Sequence, residues 1–221
     1  MIAVERNRFY NCDCMELMQA LPDKYADLAI VDVPYGIGES GSKNHTRGKR
    51  AISKDYKPFH GNDLSAPDSA YFNELFRVSK NQIVFGANHF ISKIPYDSSC
   101  WIVWDKENGD TDFADCELAW TSFKSAVRCF HFRWSGMLQG DMKNKEERIH
   151  PTQKPVKLYE WILTHYAKQG DIILDTHVGS ASSLVACHSL GFDYIGCEID
   201  EHYYNLANER LETEKSQLRL F

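Results

Sequence analysis

The chain has 221 residues, 43% of them hydrophobic and 25% charged, the composition of an ordinary globular domain with a sizeable core. Its 25 Lys and Arg against 31 Asp and Glu leave a net charge of −6, which excludes a protein that coats nucleic acid through a uniformly basic surface. No apolar run approaches the ~20 residues of a membrane span, and the N-terminus has no signal-peptide pattern. Seven cysteines, with no C-x-x-C among them, speak against a disulfide framework or a structural zinc site, and a reducing cytosol is the expected compartment.

In chain order, Cys14–Leu21 reads as a short amphipathic helix and Ala26–Val31 as a strand. Ser69–Val78 places Tyr71, Phe72, Leu75, Phe76 and Val78 at helical spacing. Strands follow at Gln82–Phe85, Cys100–Trp104, Cys116–Trp120 and Val127–Phe132. Helices are expected at Val156–Ala167, Ser180–Leu190 and Glu201–Glu214, with strands at Ile172–Leu174 and Tyr194–Cys197. Gly191 stands where a helix C-terminal glycine belongs. Strands alternating with helices imply a mainly parallel sheet covered on both faces. The helix-free stretch Cys100–Phe132 predicts an antiparallel edge or hairpin. Residues 36–63 and 133–150 read as long irregular segments, which are often functional.

Three places carry chemistry. The strand ADLAIV runs into Asp32-Val33-Pro34-Tyr35, where Pro34 fixes the backbone after the carboxylate. An Asp oxygen and a backbone carbonyl together accept both hydrogens of an exocyclic amine, and the neighbouring ring stacks on the base that bears it. Such a base must first leave its duplex. An ordinary β-turn is the other reading of the same four residues.

The second place is Asp171–Cys187, a strand, an acid, a turn containing Gly179 and Ser180, and a helix whose free N–H groups face the turn. The next strand ends in Glu198, where a βαβ unit binds the two hydroxyls of an adenosine ribose. The turn is not G-x-G-x-x-G, so a dinucleotide fingerprint fails, whereas a phosphate-free nucleoside needs less glycine. A plain strand–turn–helix with a surface Glu fits equally.

The third is basic. Lys43, Arg47, Lys49, Arg50, Lys54 and Lys57 stand against one acid, Asp55, a local charge of +5 that leaves −11 on the rest. It is either a solvated loop, the commoner case for a charge run, or a phosphate-binding arm, the reading favoured if the tetrapeptide just before it is catalytic, as the resemblance below implies. Arg133 and Trp134 stand either where they reach bases or at an edge hairpin tip.

Taken together, these segments resemble the amino-type DNA methyltransferases that use S-adenosylmethionine, in the permuted order where the catalytic motif precedes the cofactor motif. The family's D-P-P-Y corresponds to Asp32-Val33-Pro34-Tyr35. Its H-P-T-Q-K-P is intact as His150-Pro151-Thr152-Gln153-Lys154-Pro155. Its D-P-F-x-G-S-G corresponds to Asp175-Thr176-His177-Val178-Gly179-Ser180-Ala181, and its G-D-C to the region of Asn11-Cys12-Asp13-Cys14. Val33, Thr176, His177 and Ala181 depart from the family pattern.

The resemblance implies a Rossmann-like α/β methyltransferase fold, a mainly parallel seven-stranded sheet with an antiparallel edge and helices on both faces. It implies one catalytic domain over residues 1–221, with insertions at 36–63 and 133–149 and a tail at 215–221. Methyl transfer to adenine N6 is expected through Asp32, Pro34 and Tyr35; the alternatives are N4-cytosine transfer, or a cofactor- or DNA-binding relative that has lost transfer. S-adenosylmethionine is expected at Asp13, Asp32, Thr152, Lys154, Asp175, His177, Gly179, Ser180 and Glu198, with no metal. Within that set the adenine amine falls to Asp13, the ribose to Glu198, the methionine ammonium to Asp175, and the methionine end to Thr152 and Lys154. Double-stranded DNA is the expected partner, at Lys43, Arg47, Lys49, Arg50, Lys54 and Arg133. A homodimer is a further expectation, and Gln217–Phe221 (QLRLF) resembles a sliding-clamp-binding peptide.

Overall fold

The computed structural model describes residues 3–38, 56–58, 63–109, 114–135 and 138–217. The basic residues Lys43, Arg47, Lys49, Arg50 and Lys54, and the clamp-like tail after Gln217, lie outside the described residues.

The elements are, in order, β1 (Arg8–Asn11), α1 (Cys14–Ala20), β2 (Ala26–Val31), α2 (Ser69–Val78), β3 (Ser79–Phe85), β4 (Trp101–Asp105), β5 (Cys116–Thr121) and β6 (Arg128–His131). They continue with β7 (Trp134–Ser135), β8 (Leu138–Gln139), α3 (Val156–Tyr166), β9 (Ile172–Asp175), α4 (Ser182–Leu190), β10 (Asp193–Glu198) and α5 (Glu201–Ser216). Eight strands form one sheet in the order β1-β10-β9-β2-β3-β5-β4-β6. β5 runs antiparallel to both neighbours, and the remaining pairings are parallel.

The seven strands expected from the sequence are all in this sheet, so the count of seven is corrected to eight by β1. Only four residues long and exposed at both ends, β1 has too little apolar alternation to announce itself. It is held by its register on β10, Tyr10 opposite Cys197 and Asn11 opposite Glu198.

Period-two alternation divides β2 between the two faces of the sheet. Leu28 and Ile30 enter a core with α3, α4 and the Ala207–Leu211 side of α5. Ala29, Val31 and then Val33 enter a second core with α1 and α2. Val33 is 2% exposed, so the residue that departs from the family's proline continues the strand's inward face. Its burial contributes about 1.5–3 kcal/mol.

Helix ends are capped locally. Asp13, Asp68 and Asp200 accept backbone N–H groups at the starts of α1, α2 and α5. α3 follows Pro155 at its N-cap and is capped from a distance, because the Val156 N–H donates to Glu146 Oε1 at 2.9 Å. Among the described residues no helix is long and apolar enough to cross a membrane.

Candidate active site

The strand order places β1, β10, β9 and β2 side by side with their carboxyl ends on one edge. An acid follows or ends each of them: Asp13, Glu198, Asp175 and Asp32 respectively. In an open α/β sheet that edge is where ligands bind.

At the β2 end, the Tyr35 hydroxyl donates to Asp32 Oδ1 at 2.9 Å. Lys154 Nζ donates to Asp32 Oδ2 at 2.7 Å and lies 2.9 Å from Glu117 Oε2, with its side chain only 4% exposed. Lys106 pairs with the other oxygen of Glu117. Two carboxylates and two ammonium groups thus balance around the Tyr35 hydroxyl. Burial lifts the Asp32 carboxyl above its ordinary pKa; Lys154 offsets part of that, and the charge of Glu117 adds to it. Burial also opposes the charge of Glu117, but Lys154 and Lys106 outweigh it and hold this carboxyl down at about 2. Burial opposes the Lys154 charge as well, and Asp32 with Glu117 overcomes it, so the ammonium is favoured.

The Tyr35 ring rests against Gly86, which ends β3's turn at φ +67. A Cβ there would come within 2.1 Å of the ring, so the ring's seat requires glycine. His89 stacks on Tyr35, centroids 5.2 Å apart and 16° between planes. On the far side of the tetrapeptide, Asp63 accepts the N–H groups of Gly36 and Ile37, at 2.8 and 3.2 Å.

At the β9 end, Asp175 is 1% exposed. One oxygen accepts the His177 N–H at 3.0 Å and the other the Ser183 hydroxyl. Burial still outweighs these bonds and raises its pKa to about 7. Ala181, where the related turns carry glycine, adopts φ +61 and N-caps α4, so the helix begins at Ser182 rather than Ser180. Glu198 Oε2 accepts the Gly179 N–H at 2.9 Å, which joins the turn to the tip of β10. His177 accepts or donates at Thr176 Oγ1, 2.9 Å away, and packs edge-on against Tyr71. Burial lowers its pKa to about 4.

The hexapeptide spans the two ends. Lys154 reaches the tetrapeptide, whereas the buried His150 ring lies beside Gly179 and packs edge-on against Tyr203. Thr152, exposed, keeps its hydroxyl 3.1 Å from His150 Nδ1. The Ser180 carbonyl accepts from Arg210, and the same guanidinium binds Glu146 at 2.8 Å. The structure therefore gathers Asp32, Pro34, Tyr35 and Lys154 at one strand end, and Asp175, His177, Gly179, Ser180 and Glu198 at the other. Asp13 stands beside the latter group, one of its oxygens already accepting the Met15 N–H at 2.7 Å.

Arg133 is exposed beside the β7–β8 hairpin. Of the two readings for Trp134, the hairpin one describes it: it opens β7, is 7% exposed, donates from Nε1 to the Gln153 carbonyl at 2.7 Å and is covered by Arg148. Packing holds it under the hexapeptide.

Residues that the sequence did not single out are Glu117, Lys106, Gly86, His89 and Arg210. An acid inside the otherwise apolar strand CELAWT was the signal for Glu117. Gly86, His89 and Arg210 meet their partners over long chain separations, and Lys106 meets Glu117 across the β4–β5 pair.

The strand-end acids offer acceptors for hydroxyl, amine and ammonium groups. Arg210, the guanidinium bound to the turn, is committed to Ser180, Ser182 and Glu146. These acceptors suit a ligand that carries hydroxyl and cationic nitrogen groups.

The family described as DNA methylase (N6/N4 type) matches residues 43–209. The type II methyltransferase M.HinfI of Haemophilus influenzae is 26% identical over 95% of this chain and 69% of its own length. M.HpaI of Haemophilus parainfluenzae is 42% identical over 71 residues, 32% of this chain and 23% of its own. Among solved structures, the M1.HpyAVI–SAM complex superimposes with a TM-score of 0.57 at 21% identity, over 92% of this chain and 98% of that one. TTHA0409 of Thermus thermophilus, in its complex with S-adenosyl-L-methionine, gives 0.60 at 16%, over 96% and 97%. The cytosine-N4-specific PvuII DNA methyltransferase gives 0.59 at 11%, over 96% and 91%. The hexapeptide and the Gly179 turn fall inside the family match, the tetrapeptide just ahead of it, and the chain belongs to the N6/N4 DNA methylase family.

Proposed function

We propose that this protein transfers a methyl group from S-adenosylmethionine to the exocyclic N6 amine of adenine in duplex DNA. The observation that carries the reading is the placing of Asp32, Pro34 and Tyr35 beside the turn joined to Glu198, on one sheet edge. Asp13, Asp175, His177, Gly179, Ser180, Thr152 and Glu198 would hold the donor, whose sulfonium supplies an electrophilic methyl. Asp32 and the Pro34 carbonyl accept the two hydrogens of the amine, which turns its lone pair outward and stabilises the positive charge that grows on nitrogen. Lys154, at 2.7 Å, fixes the orientation of the Asp32 carboxylate. The Tyr35 ring gives the extruded base a stacking surface. S-adenosylhomocysteine leaves as the neutral thioether, and no strong base is needed, because the amine proton becomes acidic once the methyl is on nitrogen and passes along its hydrogen bond to Asp32 and on to solvent. Arg133 and the basic run Lys43, Arg47, Lys49, Arg50 and Lys54 supply phosphate contacts.

An Asp at the head of the tetrapeptide favours adenine; the likeness to a cytosine-N4 enzyme makes N4 transfer the second reading. Labelled donor, unmethylated duplex DNA and digestion to nucleosides separate the two. N6-methyladenine is the expected product, and N4-methylcytosine alone supports the second reading. Asp32→Ala should abolish transfer while binding S-adenosylhomocysteine; full activity in that variant contradicts the assignment.

A further inference from the structure

The reaction as proposed needs one carboxylate at the β2 end, yet the fold buries a second, Glu117, from the antiparallel strand β5. We propose that Glu117 is a positioning residue of the transfer reaction: with Lys106 it anchors and counter-charges Lys154, and so keeps Asp32 available to the substrate amine. The inference rests on the function proposed above and extends it to a residue that touches neither base nor donor.

The geometry is a chain of charges. Lys106 binds one oxygen of Glu117, and the other oxygen lies 2.9 Å from Lys154, whose ammonium continues to Asp32 at 2.7 Å. Glu117 Oε2 also lies 3.5 Å from the Tyr35 hydroxyl, so the same atom faces both partners of Asp32. All four charged side chains are between 4% and 21% exposed, where charges are weakly screened. An ammonium with Asp32 as its sole partner would draw that carboxylate towards itself and weaken it as an acceptor. It would also leave a surplus positive charge near a nitrogen that becomes positive. Glu117 removes both effects by dividing Lys154 between two carboxylates.

The groups that face this cluster come from every element packed on it. They are Asp32 and Tyr35 after β2, Lys106 after β4, Lys154 ahead of α3, Tyr159 on α3 and Asp175 at the end of β9. The negative charge of Glu117 raises the pKa of Asp32. Its removal therefore moves Asp32 ionisation to lower pH; hydration of Asp32 by loosened packing would act in the same direction, so the charge-retaining Glu117→Asp variant is what separates the two causes.

The test compares the parent chain with Glu117→Gln and Glu117→Asp. The readouts are kcat and KM for labelled S-adenosylmethionine and duplex DNA, the acid limb of the kcat profile at saturating S-adenosylmethionine, where donor binding through Asp175 no longer limits the rate, and S-adenosylhomocysteine affinity. Glu117→Gln should lower kcat about tenfold or more, leave S-adenosylhomocysteine affinity within about threefold, and shift the acid limb to lower pH. Glu117→Asp, which keeps the charge, should return the acid limb to the parent position and recover part of kcat. It also carries the test if the amide variant does not fold. A parent chain that transfers to DNA, with Glu117→Gln equal to it in kcat and acid limb, overturns this proposal alone. So does Glu117→Asp with kcat lowered about tenfold or more and the acid limb displaced. A parent chain that transfers nothing to DNA overturns both the function and this inference.

Discussion

Lys154 Nζ lies 2.7 Å from Asp32 Oδ2 across 122 positions of chain, and this contact joins the hexapeptide to the tetrapeptide. The sequence resemblance assigned the lysine to the donor's methionine end. The structure places its charge on the carboxylate that is to meet the substrate amine, which makes the two motifs one device.

Breaking that device from its two sides should cost different amounts. Lys154→Met leaves Asp32 and Glu117 buried without their common cation, and should destabilise the fold by about 3–5 kcal/mol. Asp32→Asn leaves Lys154 on Glu117, and should cost about 1.5–3 kcal/mol, the worth of one charged hydrogen bond. Urea unfolding of both variants measures the difference. Equal losses would mean that Glu117 does not share the ammonium.

Gly86→Ala tests the seat of Tyr35. The added Cβ would stand 2.1 Å from the ring at a φ of +67, so the tyrosine must move. A displacement of about 1 Å at a reacting group costs on the order of 100-fold in rate, and the left-handed backbone adds about 1–2 kcal/mol of strain. Transfer should fall by that factor while S-adenosylhomocysteine affinity holds. Unchanged transfer would show that the ring position does not matter to the reaction.

What could be read from the sequence was local. The tetrapeptide, the hexapeptide and the Gly179 turn are continuous stretches whose backbone demands appear in their residues, and the helices carry their caps or periodicity with them. Contacts between segments left no such mark. Arg210 finds Ser180 from 30 positions away, and β1 gains its strand from β10 across the whole chain. Trp134 reads equally as a base contact or a hairpin residue until the hexapeptide is laid over it. Val33 looks like a defect in a motif and, two positions past the end of β2, continues the strand's inward face into the second core.

Arg210 holds the donor turn from outside. Its guanidinium donates to the Ser180 carbonyl at 2.8 Å, the Ser182 hydroxyl at 3.0 Å and Glu146 at 2.8 Å, and Glu146 in turn caps α3. Arg210→Met should destabilise by about 2–3 kcal/mol and weaken S-adenosylhomocysteine binding about tenfold. Arg210→Lys should not restore it, because one ammonium lacks the fork that spans the turn and the carboxylate. Calorimetric binding by the two variants decides, and parent-like affinity in either would remove Arg210 from the turn's support.

Asp175 gives the site a pH dependence. Burial raises its pKa to about 7 in the folded chain, against an ordinary value of 3.8. A carboxyl raised on folding contributes stability that is fully present below its unfolded pKa and is lost as pH rises through the folded value. The window is therefore about pH 4 to 7, and the loss is about 4 kcal/mol by linkage. Asp175→Asn has no such group, so its stability relative to the parent should climb across that window. His150 and His177, lowered by burial to about 3 and about 4, act in the opposite direction but are present in both proteins, so they cancel in the comparison. Donor binding runs the other way: an ammonium is met by the ionised carboxylate, so S-adenosylhomocysteine affinity of the parent should rise between about pH 6 and 8. The asparagine variant should bind weakly and without that rise. A parent affinity flat across this range, together with parallel stability curves, would show that Asp175 is ionised throughout and that the turn, rather than its charge, is what the donor meets.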